Sequence, residues 1–243
     1  MLQSAHMKTE LIRIEKYLAE QGIASRREAQ ALIKAGLVLI NKQVVRETGI
    51  KIDPARDKVS LHAQAKKVHA KKETLLINKP RGFVSSKDTD PGVKTVFDSF
   101  PAYKHLNTVG RLDKESEGLL LLSNDGLVTK VITSKDHLIE KEYIVTTRED
   151  IVPAQIDRMC RGIRLDDGMT RPAEAKKIDK HTFSIVLHEG KKHQIRRMAD
   201  ACKLTITSLK RVRIGKLRLG NTPIGKSRPL TEKEVEGLKA LLG

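Results

Sequence analysis

Tryptophan is absent from this chain, and the aromatics amount to three Tyr and four Phe in 243 residues. An aromatic beside a candidate catalytic group is therefore rarely there by abundance, which singles out Tyr143. The two cysteines, Cys160 and Cys202, form no Cys-x-x-Cys pair and fall in apolar helical patterns. They read as reduced core residues in a cytoplasmic protein, which excludes a disulfide scaffold. No apolar run approaches the roughly 18 residues a membrane helix needs, and no signal-peptide hydrophobic region is visible, so the expectation is a soluble protein without a membrane partner. There are no paired Cys/His ligands, no His-Glu-x-x-His helix and no Gly-x-Ser-x-Gly elbow. Neither metal nor cofactor is expected, and His137, His188 and His193 read as solvated or partner-facing rather than as metal ligands.

One motif is present by letter but fails in context. Gly220 to Ser227 satisfies the phosphate-loop pattern, yet that loop needs a helix starting at its Gly-Lys-Ser. Pro229 follows two residues later, and the next capping box waits until Thr231. A nucleotide-driven enzyme, the weakest of three readings, rests on that stretch alone.

What the chain does have is positive charge: a formal net charge of +17 and a pI near 9.9. A polyanion is the expected partner, and nucleic acid is the commonest one at this size. The length suits a small domain plus a larger one. Residues 1–8 read as a tag or disordered terminus and are set aside. Leu11, Ile14 and Leu18 predict a short helix stopped by Gly22. Ser25-Arg26-Arg27-Glu28 is a capping box that opens a second helix, closed by Gly36. Leu37 to Ile40, Asn41-Lys42 and Gln43 to Val45 then predict a hairpin, with a further strand over Asp57 to Leu61. Arg26 and Arg27 lie at the positive end of the second helix, and Arg13, Lys34 and Lys42 could extend the same face, giving an RNA grip. The basic stretch 65–73 is the expected linker, and 74–243 the larger domain.

Within the larger domain the organising stretch is Thr108 to Gly126. Leu119 to Leu122 is an unbroken apolar run of strand length, closed by an Asn124-Asp125-Gly126 turn. The charged loop before it carries Arg111, Asp113, Lys114, Glu115 and Glu117, and composition alone makes that loop a solvated turn. Further on, Glu142 to Thr147 alternates as a strand begun by Tyr143, His181 to Leu187 as another, and Gln194 to Cys202 forms a helix with Ile195, Met198, Ala199 and Cys202 inward. Strands through Leu204 to Ile214 and Lys216 to Leu219 follow, with a final helix capped at Thr231. With no metal or cofactor motif, the available catalytic species are Asp113, the arginines and Tyr143. A carboxylate can act as a nucleophile or stabilise an oxocarbenium-like sugar cation, so glycosidic chemistry on a nucleotide is a plausible use. Such an enzyme must first extract the base and stack it on an aromatic.

Two resemblances sharpen this reading. Ser-Arg-Arg-Glu-Ala-x-x-Leu-Ile-x-x-Gly-x-Val-x-Ile-Asn resembles the alpha-L RNA-binding module, over about Ile12 to Leu61 within a domain spanning 9–64. That family usually has Gly where Lys42 stands. The stretches Lys79-Pro80, Gly-Arg-Leu-Asp-x-x-Ser-x-Gly-Leu-Leu-Leu-Leu, Lys141-Glu-Tyr143 and Glu189-Gly-x-x-x-Gln-Ile-Arg-Arg-Met are similar to successive motifs of the RsuA/RluB-type pseudouridine synthases. The resemblance implies an α+β fold: the small N-terminal domain plus a long, mostly antiparallel mixed sheet with flanking helices and a basic cleft. It implies Asp113 as nucleophile, Tyr143 on the uracil, Arg196 paired with Asp113, Ile195 lining the pocket and Arg111 in the flipped base's place, with Arg197 beside them on the substrate side. No cofactor is implied, and the expected partner is ribosomal RNA ahead of transfer RNA, met by a monomer on assembling ribosomal subunits. A non-catalytic RNA-binding or ribosome-assembly factor is the main alternative.

Overall fold

The computed structural model describes residues 11–65, 72–87, 89–134 and 139–242. The expected terminus, most of the expected linker and His137 lie outside the described residues. The chain divides into two compact units, one formed by 1–72 with 124–130 and the other by 73–123 with 131–243.

In the first unit, β1 (Ile12–Arg13) leads into α1 (Ile14–Glu20), followed by α2 (Arg26–Lys34), β2 (Val38–Ile40), β3 (Gln43–Val45), β4 (Lys51–Ile52) and β5 (Val59–Leu61). The helix expected from Leu11 starts only at Ile14, because residues 12 and 13 pair with 52 and 51 as a strand instead. Leu11 is left exposed. The Ser25–Glu28 capping box is present, with each side chain bonded to the other's backbone N–H, and it satisfies two amides that the helix leaves unpaired. In the β2–β3 turn, Asn41 and Lys42 both have positive φ, 50° and 69°, as a two-residue hairpin with a right-handed twist demands. Lys42 thus accepts the strain that Gly would avoid. Ile14, Leu18, Ala29, Ile33, Val38 and Ile52 form the unit's core.

The second unit is organised by one nine-stranded sheet. Its elements are β6 (Thr74–Lys79), α3 (Val96–Ser99), β7 (Asn107–Val109), β8 (Glu117–Ser123), α4 (Gly126–Thr133, whose first residues group with the other unit), β9 (Lys141–Thr147), α5 (Pro153–Arg161), the hairpin β10 (Arg164–Leu165) and β11 (Gly168–Met169), β12 (Glu174–Lys177), β13 (Thr182–Leu187), α6 (Gln194–Ala201), β14 (Ile206–Ile214), β15 (Leu217–Arg218), β16 (Ser227–Pro229) and α7 (Glu232–Lys239). The main path runs β12-β13-β9-β14-β8-β6-β16, with β15 on β14 and β7 on β8. Pairings are antiparallel except at the β14–β8 seam, where Lys210 and Arg211 pair in parallel with Glu117 and Gly118. β8 is buried from Gly118 to Ser123, which explains its unbroken apolar run. At Gly225-Lys226-Ser227 the chain enters β16, and the next helix opens at Glu232. No phosphate loop forms there.

Among the described residues, two apolar clusters meet at this sheet. One joins β9, β13 and β14 to α5 and α6 through Val145, Phe183, Ile185, Met159, Met198 and Leu209. The other joins β6 and β8 to the α3 region through Ile77, Leu120, Phe97, Phe100 and Leu112. Tyr143 packs against both. The seam between the cores is where the charged loop before β8 meets β14 and β9.

Candidate active site

Gly110 to Ser116 is a loop whose backbone is tied down almost residue by residue. Leu112 is buried in the second core, while Ser85 brackets it, with the Ser85 hydroxyl donating to the Leu112 carbonyl at 2.7 Å and accepting from the Leu112 amide at 3.1 Å. With Leu112 turned into the core, its neighbours Arg111 and Asp113 are left to the other side. Both line a cleft of about 980 Å³ in the second unit, together with Tyr143, Ile195, Lys141 and Arg211.

Two buried cations hold the loop from beneath. Lys79, fully buried at the end of β6, donates from Nζ to the carbonyls of Ser116 (2.8 Å), Pro80 (3.0 Å), Asp113 (3.2 Å) and Lys114 (3.3 Å). Its pKa is pushed down to about 8, chiefly by burial, although the carboxylates of Glu115, Asp113 and Glu117 pull the other way. Arg211, buried in β14, donates from Nε to the Leu119 carbonyl at 2.8 Å and from Nη1 to the Arg111 carbonyl at 3.3 Å. Its Nη2 is buried without a partner among the described residues. Gly118 makes this approach feasible: at φ +100°, a Cβ there would lie 2.3 Å from the Arg211 carbonyl oxygen.

The facing wall is the turn before α6. His193 caps that helix from the left-handed region, φ 52° and ψ 30°, a costly conformation for a non-glycine residue and one that gathers at functional sites. Its Nε2 lies 3.5 Å from Oδ1 of Asp113. The turn is braced by Gln194, whose Nε2 donates to Glu189 at 2.7 Å, and by Lys191, whose Nζ donates to the carbonyls of Asp167, Gly168 and Met169.

The expected site residues are thus brought together only in part. Arg111, Asp113, Tyr143 and Ile195 share the cleft. Arg196 does not pair with Asp113; its guanidinium donates to the Glu115 carbonyl at 2.8 Å and lies 3.5 Å from the Ser116 hydroxyl. Arg197 turns away too and forms a two-pronged pair with Asp167 at 2.8 and 3.1 Å. That pair holds the Asp167 carboxyl below the ordinary carboxylate range. Both arginines are spent on the backbone and side chains nearest their own helix. In the first unit Arg13, Arg26, Arg27, Lys34 and Lys42 are all exposed. The sequence reading missed Arg211 and Ser85, and named Lys79 and Lys141 only as parts of motifs. No group of three or more His, Cys, Asp or Glu side chains suited to a metal ion occurs among the described residues.

Chemically, the arrangement offers a fixed, partly exposed carboxylate, an aromatic ring on the neighbouring strand and a positively charged floor. Comparison with known proteins gives the family. The RNA pseudouridylate synthase family model matches residues 73–201, and the S4 domain model residues 12–57. Ribosomal large subunit pseudouridine synthase B of Bacillus subtilis is 37% identical over 238 residues, covering 94% of this chain and 96% of that protein. The dual-specificity RNA pseudouridine synthase RluF of Escherichia coli is 36% identical, covering 95% of this chain and 79% of that protein. A crystal structure of a pseudouridylate synthase superposes with a TM-score of 0.69 at 29% identity, covering 93% of this chain and 99% of the other. With the family model matched over more than half of its length and relatives above 30% identity over nearly all of it, the chain belongs to the RNA pseudouridylate synthase family.

Proposed function

We propose that the protein isomerises a uridine of ribosomal RNA, in the large subunit, to pseudouridine, acting as a monomer in the cytoplasm. The observation that carries the reading is Asp113, held by a backbone that Lys79 and Ser85 fix, in one cleft with Tyr143 and Arg111. Asp113 supplies the carboxylate that starts the reaction. Tyr143 stacks on the extracted uracil, Ile195 lines its pocket, and Arg111, exposed at the cleft, fills the space the base leaves. The choice of ribosomal RNA follows the names borne by relatives such as the Bacillus subtilis protein. Arg13, Arg26, Arg27, Lys34 and Lys42 grip the phosphates, and assembling subunits are the setting in which the target is reachable.

The test is Asp113→Asn. Pseudouridine formation in ribosomal RNA from a strain lacking the gene should fall by about 1000-fold or more. RNA affinity should stay within about threefold. Normal product from the variant would overturn the assignment. Loss of product together with loss of RNA binding would instead mark Asp113 as structural.

A further inference from the structure

We propose that Lys141 is the proton-transfer residue of the isomerisation, taking the C5 proton from the base and returning a proton to N1. The inference rests on the pseudouridine synthase reading. When the bond from C1′ to N1 breaks, its electron pair stays on the base. The base rotates, C5 joins C1′, and the C5 hydrogen must then leave as a proton so that its electron pair restores the ring double bond. N1 ends protonated. One proton leaves carbon and one arrives at nitrogen, so a single amine that accepts and then donates balances the sequence, with no oxidant, reductant or other reactant.

The geometry favours this residue. Lys141 opens β9 two positions before Tyr143, so the two side chains leave one face of the strand about 7 Å apart. Both line the cleft that holds Asp113. Across the sheet, Ile214 stands opposite Lys141 and Arg211 opposite Tyr143. The Lys141 Nζ donates to the Ile139 carbonyl at 3.1 Å, and among the described residues no carboxylate is within ion-pair distance of it. Glu142, on the opposite face, is by contrast bound to Arg213 at 2.6 Å.

The charged groups sharing the cleft with Lys141 include Arg211 from β14, Arg111 and Asp113 from the loop, His188 and Glu189 after β13, and His193 before α6. Arg211 is the one whose charge bears on it, and among the described residues that guanidinium has no carboxylate partner of its own. Burial first, and Arg211 second, lower Lys141 to about 8. Roughly a tenth of it is therefore neutral amine at pH 7, where an ordinary lysine is almost wholly charged.

Single-turnover conversion of transcribed large-subunit ribosomal RNA, made with uridine or 5-deuterouridine and read by mass spectrometry, tests the assignment. The wild-type rate should climb with pH and level off above about 8. Lys141→Arg, which keeps the charge and cannot give it up, and Lys141→Ala should each lose about 100-fold or more. Both should show a larger deuterium isotope effect than the wild type, with RNA affinity within about threefold. Added ethylamine should restore Lys141→Ala at least about tenfold, where equal ethanol does not. A Lys141→Arg enzyme with the wild-type rate and pH profile overturns the inference. So does a Lys141→Ala loss that ethylamine leaves unrestored with an unchanged isotope effect, since that pattern belongs to packing. If the wild type itself forms no pseudouridine, the functional reading fails instead.

Discussion

The two walls of the cleft are built in different ways. The loop carrying Arg111 and Asp113 is held from inside the sheet by Lys79, Ser85 and Arg211, all buried and all bonded to its backbone. The turn carrying His193 is held from outside, by Lys191 and Arg197 reaching to the β10–β11 hairpin and its Asp167. A charged group buried against carbonyls cannot trade them for water without unfolding its surroundings, whereas an exposed pair exchanges with solvent at little cost. The carboxylate proposed to react, Asp113, therefore sits on the wall that resists deformation, and adjustment to a bound nucleotide would fall to the other.

That contrast can be broken most severely at Gly118. Replacing it with Ala sets a methyl group 2.3 Å from the Arg211 carbonyl, at a φ that L residues rarely adopt. Because the clash is with backbone rather than a side-chain end, the β8–β14 seam itself must open. Gly118→Ala should cost about 4 kcal/mol or more, read as a collapsed urea midpoint and no active enzyme.

Lys79→Met comes next, because it keeps volume while leaving four carbonyls short of a donor. A loss of about 2–4 kcal/mol is expected at pH 7. The pH dependence carries a sign that packing alone would not. Lys79 titrates at about 8 in the folded protein against an ordinary 10.5, so between those values the unfolded chain binds more protons and wild-type stability rises with pH. Below about pH 8 this pH-dependent gain is absent. The gap between wild type and Lys79→Met should thus widen by about 2 kcal/mol from pH 7 to pH 10. Urea unfolding at the two pH values checks it, and a constant gap would remove Lys79 as the loop's buried anchor.

What could be read from the sequence divides the elements from their anchors. The elements of both walls were legible as periodicity: the apolar run of β8, the alternation of β9 and the inward stripe Ile195, Met198, Ala199 of α6. Asp113, Tyr143 and Arg111 were found as motif residues, and the cleft does gather them. The anchors were not legible. A lysine or arginine within a strand reads as solvent-facing, and only the register of Arg211 opposite Gly118 reveals that its side chain runs beneath the loop. Arg196 erred in the opposite direction, because a pairing across 83 positions depends on how α6 is turned against Glu115, and no local pattern encodes that. Leu11 failed for a related reason: helical spacing cannot register that residues 12 and 13 have a strand partner at 51 and 52.

The second wall supplies the smallest and most discriminating effect. Arg197 was expected on the substrate side, yet both its terminal nitrogens are engaged with Asp167 at the surface, where the acid's side chain is 47% exposed. Arg197→Ala should therefore cost only about 0.5–1 kcal/mol of stability, shrinking further at high salt. The single-turnover rate on ribosomal RNA should fall by less than about threefold, because the turn keeps its Lys191 and Gln194 braces. A loss of about 100-fold with little change in stability would mean that substrate draws Arg197 off Asp167 and into the reaction. In that event the compliant wall would be the one that completes the site, and the division of labour between the two walls would have to be redrawn around the bound nucleotide.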